Sequence, residues 1–325
     1  MTSNYVRGAL AAAVLAPLTA FAQPTNAPYP TRTITFVVPY TPGTGGDFLA
    51  RVLGPKLAER WKTSVVTDNR PGASGNIGAD VVAKATPDGY TLLSTATSFG
   101  TTPALTKTLP FDPVKSFTPV ALLTTSEMGL YVSMKTPIES VRGLVEAARA
   151  QPGKLNYASP GNGSPQHLAM ELLRIETGID VLHVPYKGSG GAVGELVGGF
   201  VQTMVISTQT ATSYVQGGKL RMLAVMSPKR TATFPNVPTM AELGYPNLQV
   251  LTWYGLLAPA GTPAEIVTKL NVELNAILQL ADVREMLAKQ GMTAMNAPPE
   301  RFAEVIRAEL ARWNSVVATA KIKSD

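Results

Sequence analysis

Two stretches of this 325-residue chain pass from an extended run through a Gly/Ser-rich loop into a helix: ITFVVPYTPGTGGDFLAR, Ile34 to Arg51, and KLNYASPGNGSPQHLAMELL, Lys154 to Leu173. Each places a flexible backbone at the positive end of a helix, where first-turn N–H groups have no partner within the helix. A carboxylate or phosphate suits such a position. The order strand, loop, helix also restricts the fold, because strands alternating with helices build a parallel sheet with right-handed crossovers. Two half-sites of this kind predict a cleft closed from both sides, and hence a binding protein.

The pattern extends along the chain. Thr33 to Pro39 alternates and is β-branched, which predicts a strand, and Asp47 to Arg60 carries Phe48, Leu49, Val52, Leu53 and Leu57 on one helical face. Further strands are predicted at 64–68, 90–95, 117–124, 129–134, 181–185, 203–207 and 221–226. Helices are predicted at 77–84, 140–151, after the second Gly/Ser loop, and at 192–198, 211–216, 263–280, 283–290 and 299–321. NRPGASGN (69–76) reads as a turn-rich loop, and TFPNVPTMAELGYPN as irregular apart from a short helix at 239–243. A length of 325 residues with 45% hydrophobic content suits two α/β domains rather than one. The expected division is 23–124 plus 227–325 as the first and 125–226 as the second, with crossings near 124 and 226 and the ligand cleft between.

Residues 1–22 read as a secretory signal peptide, with Arg7, an apolar run from Gly8 to Ala20, and the cleavage signature Ala20-Phe21-Ala22. The run is too short to span a bilayer, and no other approaches the roughly 18 residues a span needs. The mature chain, beginning near Gln23, is therefore expected to be soluble and periplasmic. Cysteine is absent, which excludes disulfides and thiolate metal sites. The formal charge of +6 suits anionic ligands, but the basic residues are scattered, which argues against nucleic acid.

Ligands of parallel sheets sit at the carboxyl ends of strands. That rule selects Tyr40, Thr41, Pro42, Gly43, Thr44 and Asp47 in the first loop, Thr97 and Ser98 after the strand at 90–95, and Ser159, Gly161, Asn162, Gly163, Ser164 and His167 around the second loop. Tyr186 and Thr208 follow two later strands. Ser164 either caps its helix or turns to the ligand. Asp47 either complements the helix dipole or takes the ammonium of an amino-acid ligand. His167 has a helical or capping role or touches the cleft, and His183, inside an apolar strand, reads as a satisfied core residue. GxSxG and GxxxxGK[ST] are absent, and GTGG at 43–46 is not GxGxxG. No catalytic residue, metal or cofactor is expected.

Several further stretches stand in order with the two loops: DNRPGASGNIGADVVAKATPDGYTLL, LPFDPVKSFTPVALL, HVPYKG, GKLRMLAV, PNVPTMAELGY and WYGLLAPAGTP. Together with them, the chain from about Tyr29 onward resembles the Bug or TctC-like extracytoplasmic solute receptors. The resemblance implies a periplasmic-binding-protein-like α/β fold of two domains, each a mainly parallel sheet flanked by helices, joined by two crossover strands. It also implies capture of a small organic acid (a dicarboxylate, tricarboxylate, aromatic acid or amino acid) by backbone N–H groups of Tyr40 to Asp47 and Ser159 to Ser164. Delivery would be to an integral membrane permease of the tripartite tricarboxylate type, by a receptor expected to be monomeric. Two alternatives are a sensor that docks on a histidine kinase and an α/β hydrolase or isomerase. The chain departs from the family at Thr44, where a second glycine is usual, and at Gln202, where aspartate is usual.

Overall fold

The computed structural model describes residues 29–106, 108–186 and 188–322; the signal peptide reading lies outside them. Its elements are β1 (Ile34–Val38), α1 (Gly45–Trp61), β2 (Val65–Asn69), α2 (Asn76–Ala83), β3 (Thr91–Ala96), α3 (Ser98–Thr101), β4 (Phe117–Ser133), α4 (Val141–Ala150), β5 (Asn156–Ser159) and α5 (Pro165–Thr177). They continue with β6 (Leu182–Pro185), α6 (Ser189–Gly198), β7 (Thr203–Ser207), α7 (Thr208–Gln216), β8 (Leu220–Val225), β9 (Leu251–Pro259), α8 (Ala264–Leu278), α9 (Ala281–Lys289), β10 (Met292–Ala294) and α10 (Pro299–Ala320).

In the first half β2, β1 and β3 are parallel, and β9 and β4 then follow, each antiparallel to its neighbour. In the second half β6, β5 and β7 are parallel, and β4 pairs antiparallel with both β7 and β8. One strand thus serves both sheets: β4 pairs with β9 as far as Glu127 and with β7 from Met128 onward. The expectation of separate strands at 117–124 and 129–134 is corrected by this single 17-residue strand. The polar stretch TTSEM between them suggests a break. Its side chains instead alternate between buried (Thr124, Ser126, Met128) and partly exposed (Thr125, Glu127), as a strand passing through a waist requires.

Leu49, Leu53 and Leu57 of α1, spaced four apart, pack with Leu270, Leu274 and Ile277 of α8 on one face of the first sheet. Burying each such side chain contributes about 1.5–3 kcal/mol. Val82 of α2 and Phe302 and Ile306 of α10 cover the opposite face. In the second half α4 and α5 cover one face and α6 and α7 the other. Met240, Leu248 and Val250, with Trp313, Val316 and Val317 of α10, belong to the core under α4 and α5. Helix α10 therefore enters the cores of both halves.

Two strands escaped the sequence reading. β9 lies between β3 and β4 in the first sheet, and β10 pairs with β4 at the waist. The helix expected at 239–243 is replaced by turns. Thr239 and Glu242 do satisfy one another as a capping box, with Thr239 N–H donating to the carboxylate at 2.8 Å and Glu242 N–H to the Thr239 hydroxyl at 3.1 Å. However, the Met240 amide is drawn to the Val225 carbonyl, and a left-handed Gly244 ends the turn.

Candidate functional site

Loops that follow β1, β2, β3 and β5 line one cavity of about 420 Å³, within the size range of small-ligand sites. Tyr40, Thr41 and Thr44 come from the first loop, Ser98 and Thr102 from the segment after β3, and Gly161, Asn162, Gly163 and Ser164 from the loop after β5. Pro39, Pro71, Pro160 and Pro165 supply apolar wall. Among the described residues, none that lines the cavity carries a charge. A bound anion would therefore be met by amides and hydroxyls.

The first loop is fastened from beneath. Asp47 is 4% exposed, and its carboxylate accepts from Gly43 N–H at 2.9 Å, Asn69 Nδ2 at 3.0 Å and Arg51 Nε at 3.0 Å. Burial alone would raise its pKa, but the Arg51, Gly43 and Asn69 bonds outweigh burial and hold it below the ordinary value. Asp47 is thus committed to the loop, and its carboxylate lies outside the cavity lining. The N–H groups of Gly45, Gly46 and Asp47 precede the first intrahelical bond, Phe48 N–H to Thr44 C=O, and form the positive end of α1. Tyr40 closes the floor: its hydroxyl meets the Ser98 hydroxyl at 2.6 Å and accepts from Ala96 N–H at 3.2 Å. Burial raises its pKa, so it stays a neutral hydroxyl.

The second loop is also held by its own residues. Ser164 caps α5, accepting from His167 N–H at 3.2 Å and donating to Gly161 C=O at 2.8 Å. Ser159 is fully buried, with its hydroxyl 3.1 Å from both the N–H and the C=O of Gly161. Gly163 has φ +72°, and a Cβ there would meet the end of the Leu105 side chain. The positive φ favours glycine, while the end of the Leu105 side chain can shift to admit a Cβ.

The remaining expected residues lie elsewhere. Pro42 and Gly43 are in the first loop but outside the lining. Thr97 is stitched to β9, its hydroxyl accepting from Trp253 N–H at 2.7 Å. His167 lies under the second loop and accepts from Gly163 N–H. His183 is half-buried and is satisfied by the Ser159 hydroxyl, as a satisfied core residue requires. Tyr186 turns toward α6, where burial and then Glu195 raise its pKa. Thr208 lines a different cavity of about 710 Å³, beside Glu127, Gln209, Met292 and Thr293.

Pro71, Gly72, Ser74 and Gly75, which precede α2, also line the site, and the sequence reading left them out. Gly72, Ala73, Ser74 and Gly75 all have positive φ (134°, 45°, 56° and 101°), and Ala73 and Ser74 hold this conformation without being glycine. Left-handed backbone at such residues costs about 1–2 kcal/mol each and tends to cluster where a loop is shaped for a ligand. The signal was available: PGASG stands between a strand and a helix, as the other two loops do.

The two family departures separate cleanly. Thr44 is at the rim of the site, with its hydroxyl donating to Thr41 C=O at 3.0 Å. Gln202 is at the far end of β5 from Ser159, where its side-chain oxygen accepts from Asn156 N–H at 2.8 Å. It takes no part in the cavity.

Comparison with known proteins places this arrangement. A family model, the tripartite tricarboxylate transporter family receptor (TctC), matches residues 49–322. Protein BugT of Bordetella pertussis is 38% identical over 299 residues, covering 91% of this chain and 92% of BugT. The solved structure of R. palustris Rpa4515 with adipate is 37% identical, with a TM-score of 0.76, covering 91% of this chain and 99% of that one. MatC of Rhodopseudomonas palustris with bound malate is 34% identical, with a TM-score of 0.73, covering 89% and 100%. With loops, sheet order and these likenesses in agreement, the chain belongs to the tripartite tricarboxylate transporter family receptors, the TctC or Bug solute-binding proteins.

Proposed function

We propose that this protein is an exported solute-binding receptor that captures a small organic carboxylate between two domains and delivers it to a tripartite tricarboxylate-type permease. The observation that carries the reading is an uncharged cavity of about 420 Å³ ringed by the amino ends of α1, α2 and α5. Such a site takes an anion through fixed N–H dipoles and hydroxyls. Micromolar affinity needs about 8 kcal/mol, and charge-assisted hydrogen bonds contribute about 1.5–3 kcal/mol each, so four or five suffice.

Adipate in Rpa4515 and malate in MatC support an aliphatic dicarboxylate as the ligand class. One carboxylate would sit at the Tyr40–Asp47 loop and the other at Ser159–Ser164. The domains divide at 23–124 plus 227–325 and 125–226, with β4 as one crossing and the chain after β8 as the other, while residues 240–250 and the end of α10 pack on the second core. The receptor acts as a monomer, without cofactor and without turnover. The 2.6 Å contact of Ser159 with His183 invites a nucleophile-and-base reading. Ser159 is fully buried, bonded to Gly161 and absent from the cavity lining, which argues against it. No helix among the described residues is long and apolar enough to cross a membrane.

The test is thermal unfolding of residues 23–325 against dicarboxylates, tricarboxylates, aromatic acids and amino acids, since a ligand that binds only the folded state raises the midpoint. A shift confined to aliphatic dicarboxylates supports the reading. No shift with any acid, after unfolding and refolding to remove co-purified ligand, contradicts it. Loss of uptake on gene deletion supports transport, whereas loss of induction alone supports a sensor.

A further inference from the structure

Two histidines lie beneath the second loop, outside the cavity. His167 of α5, 4% exposed, and His183 of β6 stack face to face, with ring centroids 3.9 Å apart and planes within 8°. Tyr157 of β5 extends the stack, 4.8 Å from His183. Each imidazole reaches a different part of the loop. His167 Nδ1 accepts from Gly163 N–H at 3.0 Å. His183 Nε2 lies 2.6 Å from the Ser159 hydroxyl, which is itself bonded to Gly161.

We propose that His167 and His183 are a positioning pair that holds the Gly161–Ser164 loop in the shape that presents its amides to the ligand. The proposal rests on the reading of the cavity as a carboxylate site.

The chemistry constrains His167 closely. To accept from an N–H, Nδ1 must be bare, so the single ring proton sits on Nε2. That nitrogen points toward Glu171 Oε1, at 3.9 Å too far for a hydrogen bond. Glu171 is committed elsewhere: it accepts from the Tyr157 hydroxyl and from Arg174 Nη1 at 2.8 and 2.9 Å, while Arg174 also faces Asp180 at 3.7 Å. A second proton on His167 would have to enter Nδ1, where it would meet the Gly163 N–H and break that bond. Burial first, and the Arg174 charge second, oppose that proton. His183 is freer, because its Nε2 can either donate to or accept from the Ser159 hydroxyl. The pair thus has unequal roles. His167 fixes the direction of one amide, and His183 supports the ring and the serine behind Gly161.

The experiment combines affinity with nuclear magnetic resonance on residues 23–325. The probe is whichever C4–C6 aliphatic dicarboxylate gives the largest thermal shift at pH 7.5. His167→Ala should weaken binding about tenfold, the scale of one lost hydrogen bond. His167→Gln, whose amide oxygen can accept the same N–H, should restore affinity to within a few-fold. In the unmodified protein the imidazole nitrogen shifts should show the Nε2–H tautomer, and the Gly163 amide should exchange faster in H167A but not in H167Q. A folded H167A that binds as tightly as the unmodified protein, an H167Q no better than H167A, or a Nδ1–H tautomer overturns the pairing. If no dicarboxylate binds the unmodified protein, the carboxylate reading falls, while the tautomer and amide exchange still decide whether the histidines hold the loop.

Discussion

Asp47 offers a sharp test of how the first loop works. It accepts from Gly43 N–H at 2.9 Å and Asn69 Nδ2 at 3.0 Å, and both bonds vanish in Asp47→Ala. Hydrogen bonds to a charged group contribute about 1.5–3 kcal/mol each, and partial rehydration of the exposed Gly43 side lowers their sum to about 2–4 kcal/mol. Arg51 is half exposed and is screened by solvent, so it is left out of that sum. At about 1.5–2.5 °C per kcal/mol for a chain of this size, the melting midpoint of the ligand-free protein should fall by about 3–10 °C. Asp47→Asn keeps one acceptor and should lose about half as much. Affinity for a dicarboxylate should fall in both variants in step with stability, because the carboxylate orders the loop rather than touching the ligand. The assay is calorimetric unfolding with parallel titration calorimetry. An unchanged midpoint in D47A, or a loss of affinity confined to amino-acid ligands with stability intact, would refute the reasoning.

Ser164→Ala removes an N-cap and the bond to Gly161, so chemical denaturation should show a loss of about 0.5–2 kcal/mol. Gly163→Ala combines left-handed backbone strain of about 1–2 kcal/mol with a shift of the Leu105 side-chain end, and titration calorimetry should show weaker ligand binding than in S164A. Both His167 and His183 are held down from 6.5 to about 4, by burial first and by neighbouring charge second. The unfolded chain takes those protons near pH 6.5 and the folded chain only near pH 4. Their contribution is therefore complete above pH 6.5 and is lost as the pH falls toward 4, at up to about 1.4 kcal/mol per unit for His167 and less for His183. Stability flat across pH 6.5 to 4 in urea titrations would contradict this.

Much of this molecule was legible because its signals are local. The first and second Gly/Ser loops announce themselves through glycine at positions of positive φ, Gly43, Gly161 and Gly163, each between a strand and an amphipathic helix. The third loop shows Gly72 and Gly75 in the same way, but between them Ala73 and Ser74, residues that rarely adopt positive φ, leave its shape unreadable. LTWYGLLAP, which forms β9, is buried from Gly255 onward, and a short continuous apolar run has no periodicity to distinguish strand from helix. Chemical roles were harder to read than positions. Asp47, Ser159 and Ser164 have the polarity of ligand groups, yet tertiary structure uses each to fasten backbone. His183 sits in a strand that reads as apolar, and only the fold brings it onto His167.

The most direct measurement is a crystal structure of residues 23–325 grown with an aliphatic dicarboxylate. The account predicts one carboxylate about 3 Å from amides at the start of α1 and the other against the Gly161–Ser164 loop, with no charged side chain in contact among the residues described here. A ligand held by a lysine or arginine, or seated instead beside Glu127 and Thr208, would contradict it.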